Sequence, residues 1–186
     1  VKNVGETAIQ SILAAREAGG RFRDLYDFCE RVDLRLVNKR VVESLIKCGA
    51  LDSVGGRRSQ LTAAVDKAME AASSAQRDRA QGQASLLDIL GGPGGGKAAR
   101  REGPAMPNLP EWDRMQLLAA EKETLGFYMT GHPLAEHRAR VAGRTNATTE
   151  TLGALPDKAT ARLAAMVTAV KQISTKSGDR MAFVTL

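Results

Sequence analysis

Across residues 6–18 the apolar side chains Ala8, Ile9, Ile12 and Leu13 recur at helical spacing and Gly19-Gly20 supplies a stop, which predicts a short amphipathic helix. Phe22, Leu25, Tyr26 and Phe28 follow as a dense apolar cluster, predicting a turn and a brief helix whose rings centre a small core. Asn38 suits the N-cap of a helix through Lys47, with Val41, Val42, Leu45 and Ile46 on one face and Gly49 just past its end. A fourth helix is expected over 58–72, turning Leu61, Val65, Ala68 and Met69 inward.

Beyond Ala72 the apolar period fades, and residues 91–110, GGPGGGKAARREGPAMPNLP, have none. Gly and Pro at that density bury too little surface to offset the entropy of ordering, so a flexible linker is expected. Helical spacing returns over 111–125 through Trp112, Met115, Leu118 and Ala119, and stops at Gly126. The segment FYMTGHPL and a short helix over 137–141 complete a second small helical unit. From Arg162 the pattern turns to β: Val167, Val170 and Ile173, then the turn Lys176-Ser177-Gly178-Asp179, then Met181, Phe183 and Val184 read as one hairpin. A lone hairpin is marginal in water, so this one expects partner strands. Val1 in place of Met and the apolar run ending at Leu186 lead to the expectation that both ends continue.

The fold class is therefore mainly α. It comprises a helical domain over 1–75, a flexible linker over 76–110, a small helical unit over 111–142, and the start of a β domain over 160–186. At 186 residues, 43% hydrophobic and 26% charged, the chain is able to bury a core. A net charge of +6 fits a polyanion partner and equally fits a mildly basic solvated surface. Cys29 and Cys48 are too few for a disulfide framework and lack CxxC spacing, which points to a reducing cytoplasm. No apolar stretch approaches a membrane span and no signal peptide precedes the first helix, so no membrane partner is expected.

Candidate chemistry starts at the first residues. Lys2-Asn3-Val4-Gly5-Glu6-Thr7 runs a Gly-bounded turn straight into a helix. Backbone N–H groups there point outward in front of the positive end of the helix dipole, so a phosphate can be bound without base readout. Asn3 and Gly5 tolerate the positive φ such a turn needs. This resembles the helix-hairpin-helix family of DNA-binding elements, whose Gly-hydrophobic-Gly is here Asn3-Val4-Gly5. A helix that merely follows a glycine fits the same residues. A second candidate hairpin, residues 47–55, carries Gly49 and Gly55, with Arg57 and Arg58 at the next helix start where they could meet phosphate. An ordinary αα turn with solvated arginines is the other reading.

Four blocks in order widen the resemblance: residues 1–61, then GQASLLDIL, then EKETLGFYMTGHPL, then KSGDRMAFVTL. Together they resemble the alpha subunit family of bacterial DNA polymerase III, a C-family replicative polymerase, from the end of its fingers region into its OB domain. The resemblance implies tandem helix-hairpin-helix elements that grip duplex or primed DNA, using Lys2, Asn3, Val4, Gly5, Thr7, Gly49, Gly55, Arg57 and Arg58. It also implies that the terminal hairpin opens a truncated OB-like barrel and that other replicase subunits are partners. Gln83, Ser85, Leu86 and Leu87 are similar to the family's sliding-clamp peptide, with Leu86 and Leu87 as anchors and Leu87 where Phe is usual.

The segment Leu125-Gly126-Phe127-Tyr128-Met129-Thr130-Gly131-His132-Pro133-Leu134 reads as an architectural turn. His132 and His137 lack metal-ligand spacing, so no zinc site is expected. Lys171, Lys176 and Arg180 could line a groove for single strands, or simply solvate strand edges. No clustered Asp motif follows a strand, so no catalytic residue and no cofactor is expected within this chain. Mg2+ belongs to the polymerase that the resemblance implies. A helical scaffold and a helix-hairpin-helix DNA-repair accessory protein are the alternative functions.

Overall fold

The computed structural model describes residues 1–80, 104–175 and 178–186. They form two units, Val1–Tyr128 and Met129–Leu186.

The first unit begins with α1 (Glu6–Gly19), α2 (Leu25–Arg31), α3 (Lys39–Lys47) and α4 (Arg58–Ala80) around one core. The local signals explain the boundaries. Asp24 caps α2 by accepting from the Asp27 amide, and Asn38 caps α3 by accepting from the Val41 amide, as its sequence position predicts. Phe28, Leu25, Val42, Ile46, Leu61 and Val65 are fully buried at the centre. Phe22 meets Phe28 edge-to-face with ring centroids 5.0 Å apart, and the Arg31 guanidinium lies 4.5 Å above the Phe22 ring. Ile9, expected inward, is instead 43% exposed, because Ala8 and Ile12 define the inward face of α1.

Helix α4 runs eight residues past the expected stop at Ala72. Tertiary contacts carry this extension. Gln76 Nε2 donates to the carbonyls of Val32 (2.8 Å), Glu30 (3.2 Å) and Cys29 (3.4 Å), satisfying orphan acceptors at the end of α2. Arg79 pairs with Glu30 on the same face.

Helix α5 (Arg114–Leu125) starts at an Asp113 cap. The Asp113 side chain accepts from the Gln116 amide, the Gln116 side chain accepts from the Asp113 amide, and Gly126 ends the helix with φ 86°. The sequence sets 111–142 apart as its own unit, whereas α5 packs on α3 within the first unit. Charged contacts bind it there: Lys47 pairs with Glu123 at 2.9 Å and Arg58 with Glu121 at 3.2 Å. The expected linker is corrected at its end too, because Met106 packs against the core and the carbonyls of Pro107, Leu109 and Pro110 accept from Gln60, Arg57 and Ser59.

In the second unit a 3-10 turn (Pro133–His137) leads into α6 (Arg138–Val141), and β1 (Ala169–Ser174) pairs antiparallel with β2 (Arg180–Thr185). The register places Lys171 opposite Phe183 and Ser174 opposite Arg180. Lys171 and Arg180 therefore occupy strand positions of opposite parity and point to opposite faces of the hairpin, so they do not line one groove. Lys176 lies outside the described residues. Apolar side chains are exposed on both faces, Val170 and Val184 on one and Met181 and Phe183 on the other.

Candidate nucleic-acid interface

In the turn at residues 1–5 the positive φ that the sequence allows at Asn3 and Gly5 is taken by Asn3 alone. Asn3 adopts φ 65°, and its Nδ2 donates to Ser44 Oγ at 3.2 Å, anchoring the turn to a buried position on α3. The Lys2 amide donates to the Thr124 carbonyl at 2.8 Å, so the end of α5 holds the same turn from the other side. Val4 is half-buried against the core, while Lys2, Gly5 and Thr7 are exposed.

Gly5 is the N-cap of α1, with φ −79° and ψ 163°, and no side chain caps the helix. A Cβ added at Gly5 would meet nothing within 4 Å. The glycine is thus not needed for a positive φ; it leaves open space in front of the helix. Among the described residues no acceptor meets the amides of Gly5, Glu6 and Thr7. Three outward donors at the positive end of a 14-residue helix form a ready site for an anion. Glu6 is the acidic residue of that first turn.

The second hairpin is built differently. Gly49 adopts φ 81°, and its absent side chain leaves room for Arg58: an added Cβ would lie 2.2 Å from Arg58 Nη2. The Arg58 side chain, 8% exposed, grips Asp52 through Nε–Oδ1 (3.0 Å) and Nη2–Oδ2 (2.8 Å). Its Nη1 donates to the Lys47 carbonyl (3.2 Å) and to Oε1 of the fully buried Glu121 (3.2 Å). The hydrogen bond to Asp52 is the main reason its pKa rises above the ordinary value, with Glu121 adding to it. Arg58 is therefore a structural bolt and cannot meet phosphate, which corrects the sequence expectation. Arg57 is exposed, but its Nη1 donates to the Leu109 carbonyl at 2.9 Å.

An anion already sits at the N-terminus of α4. Glu111 Oε2 accepts from the Arg58 amide (2.9 Å), and Oε1 accepts from the amides of Ser59 (3.1 Å) and Trp112 (2.9 Å). The Gln60 side chain takes the Arg57 amide at 2.9 Å. Burial pushes the Glu111 carboxyl up, but the amides of Ser59, Trp112 and Arg58 outweigh it and hold the group below its ordinary 4.5. Sequence reasoning missed Glu111 because it sits 52 residues from Ser59 and was read as the first residue of the helix expected over 111–125. Glu121 was missed as one more charge on an amphipathic helix. Gly55 (φ 82°) keeps an exposed backbone at the hairpin tip, and no acceptor among the described residues meets its amide.

The structure thus brings Lys2, Asn3, Val4, Gly5 and Thr7 together at an open helix start. Gly49, Arg57 and Arg58 belong to a start closed from within. Gln83, Ser85, Leu86 and Leu87 lie outside the described residues. Among the described residues no group of three or more His, Cys, Asp or Glu side chains could hold a metal ion, and no helix is long and apolar enough to cross a membrane.

Residues 1–61 match the family described as Helix-hairpin-helix motif. Along its whole length the chain is similar to DNA polymerase III subunit alpha proteins: 39% identical to that of Vibrio cholerae, 36% to that of Caulobacter vibrioides and 38% to that of Neisseria meningitidis serogroup B. The match covers 16%, 16% and 15% of those relatives, so the chain spans about a sixth of their length. With identity sustained over all 186 residues and the hairpin motif at its start, the chain corresponds to one stretch of the DNA polymerase III alpha subunits it is similar to.

Proposed function

We propose that this chain is the DNA-gripping segment of a DNA-directed DNA polymerase that works in replication. The open N-terminus of α1 behind the Asn3 turn carries the reading. Amides there take a phosphate oxygen of primed or double-stranded DNA, Lys2 adds charge and Thr7 a hydroxyl, and the contact holds the backbone without reading bases. The Glu111 carboxylate occupies the corresponding place at α4, so the grip is asymmetric and rests on the first hairpin, with Gly55 as a backbone contact of the second. Nucleotidyl transfer and the Mg2+ it needs are assigned to the longer protein. The exposed apolar faces of the terminal hairpin support its being the opening of an OB-like barrel.

Gly5→Asp tests the grip. Aspartate is a good N-cap, so the helix is preserved or gains a few tenths of a kcal/mol, while a carboxylate now occupies the phosphate position. Fluorescence anisotropy with a labelled primed duplex across a salt series is expected to show steep, sequence-independent binding that Gly5→Asp weakens about 10-fold or more. Binding that ignores Gly5→Asp removes the first hairpin from the interface, and no binding at the lowest salt leaves a helical scaffold as the better reading.

The peptide around Gln83, Ser85, Leu86 and Leu87 supports a second partner, the replicative sliding clamp. Its basis is the resemblance of that peptide to the family's clamp-binding motif. Clamp retention on an immobilised chain should disappear in Leu86→Ala/Leu87→Ala; equal retention would discard the assignment.

A further inference from the structure

Ser44 is a polar residue in an apolar place. It is 3% exposed on α3, whose other buried side chains are Val41, Val42 and Ile46. Alanine there would be the better helix former and would bury no hydroxyl, so nothing in α3 itself calls for serine. Its Oγ accepts from Asn3 Nδ2 at 3.2 Å, across 41 residues of chain. Asn3 is the counterpart of this choice. At φ 65° a glycine would sit without strain, so what asparagine adds at that position is its side-chain donor. Two residues that are each second-best by local rules thus meet at one hydrogen bond.

Within itself the turn is weakly tied. Its closing bond, from the Val4 amide to the Val1 carbonyl, is long at 3.4 Å. Distant elements fix it instead. Val4 packs on the core, the Lys2 amide takes the Thr124 carbonyl at the end of α5 (2.8 Å), and Asn3 takes Ser44. Of these the Ser44 bond is made by the residue at positive φ, whose backbone angles set the direction in which Gly5 and the first amides of α1 leave the turn.

We propose that Ser44 is a positioning residue for the phosphate grip. Through Asn3 it holds the turn in the conformation that aims Lys2 and the amides of Gly5, Glu6 and Thr7 at the DNA backbone. Ser44 is buried behind the turn and does not itself touch DNA. Without its bond the turn samples other conformations, and affinity falls with the fraction of chains still competent to bind. Loss of one neutral hydrogen bond corresponds to about 3- to 10-fold in that fraction. The inference rests on the first hairpin being the DNA contact. It goes beyond that reading by giving the helix that leads into the second hairpin a part in the work of the first.

The test is fluorescence anisotropy of the whole chain with a labelled primed duplex across a salt series, beside urea unfolding followed by Trp112 fluorescence. Ser44→Ala is expected to weaken binding about 3- to 10-fold at every salt concentration, displacing log K against log salt in parallel, because the bound state keeps its phosphate contacts. Lys2→Ala removes a contact and should instead make that slope shallower by about 0.9. Folding stability of Ser44→Ala should equal or exceed that of the parent chain, since Asn3 is exposed and its freed amide can turn to water. A loss of affinity that merely tracks a loss of stability would make Ser44 a structural residue and overturn the role. Asn3→Gly keeps the positive φ and removes the same bond. It should weaken binding at least as much as Ser44→Ala, and adding Ser44→Ala to it should weaken binding no further. Additive losses would overturn the proposal, as would a Ser44→Ala slope as shallow as that of Lys2→Ala. Gly5→Asp separates this claim from the one beneath it. Binding that falls with Gly5→Asp and ignores Ser44→Ala leaves the grip standing and removes its positioning residue; binding that ignores both discards the two together.

Discussion

Replacing Arg58 with Leu should be among the most destabilising single changes in the first unit. The guanidinium is 8% exposed and its partner Glu121 is 0% exposed, so Arg58→Leu takes an ion-pair partner from a fully buried carboxylate. Removing one partner of a buried ion pair costs about 3–5 kcal/mol. Loss of the donor to the Lys47 carbonyl is included in that range rather than added to it. Glu121→Leu should cost less, because Arg58 keeps its two-point grip on the half-exposed Asp52. The double variant Arg58→Leu/Glu121→Leu places two apolar side chains of similar size in the gap, and such replacements are often neutral or stabilising. It should therefore recover most of the loss. Urea unfolding followed by the fluorescence of Trp112, the sole tryptophan, reads the unit that contains the pair. A cost under about 1 kcal/mol for Arg58→Leu, or a double variant as unstable as the single, would refute the claim that this pair bolts α4 to α5.

Two further outcomes follow from the same corner of the molecule. Glu111 has a folded-state pKa below its ordinary 4.5, so its contribution to stability is fully present above that value and is lost as pH falls through the folded value. Glu111→Gln should therefore cost about 0.5–1 kcal/mol at pH 7 and progressively less as pH falls through the folded value, in chemical denaturation across a pH series; a cost that does not change with pH would show that charge is not what holds the segment on α4. Gly49→Ala forces a side chain to φ 81° and into the Arg58 guanidinium, so it should cost more than the about 1–2 kcal/mol of left-handed strain alone. In an Arg58→Leu background the steric part disappears, and the measured cost of Gly49→Ala should shrink; strict additivity would contradict this contact.

The parts of the fold legible in the sequence are those fixed by neighbours along the chain. Asn38 before an apolar-periodic run announces α3, and Gly126 marks the end of α5, because a cap bond or a positive φ is decided within four residues. The tail of α4 was not legible. Residues 73–80 carry no apolar stripe, and what continues the helix is Gln76 reaching carbonyls at the end of α2 more than 40 residues away. The docked stretch before α5 was hidden for a similar reason: Pro107, Leu109 and Pro110 contribute backbone carbonyls, which leave no mark on composition. Strand parity was not legible either, since Lys171 and Arg180 part ways only once the register through the turn is known.

The two hairpins look alike in sequence and differ in chemistry, and the difference turns on what lies in front of each helix. Both place a tight turn before a helix start, and on local grounds each is an anion site. At α1 the residue before the helix is a glycine with empty space around it, and Lys2 and Asn3 spend their internal bonds on Thr124 and Ser44, behind the turn. At α4 the dipole is already answered by Glu111, and the arginine that seemed poised for phosphate is turned inward by Asp52 and Glu121. A helix start cannot hold two anions at once without repulsion, so each carboxylate folded onto one start removes that start from a phosphate grip. A tandem motif in which one copy is closed from within and the other left open has divided its labour: the second hairpin joins α3, α4 and α5 into a rigid frame, and that frame holds the first hairpin in register against the backbone it is proposed to bind.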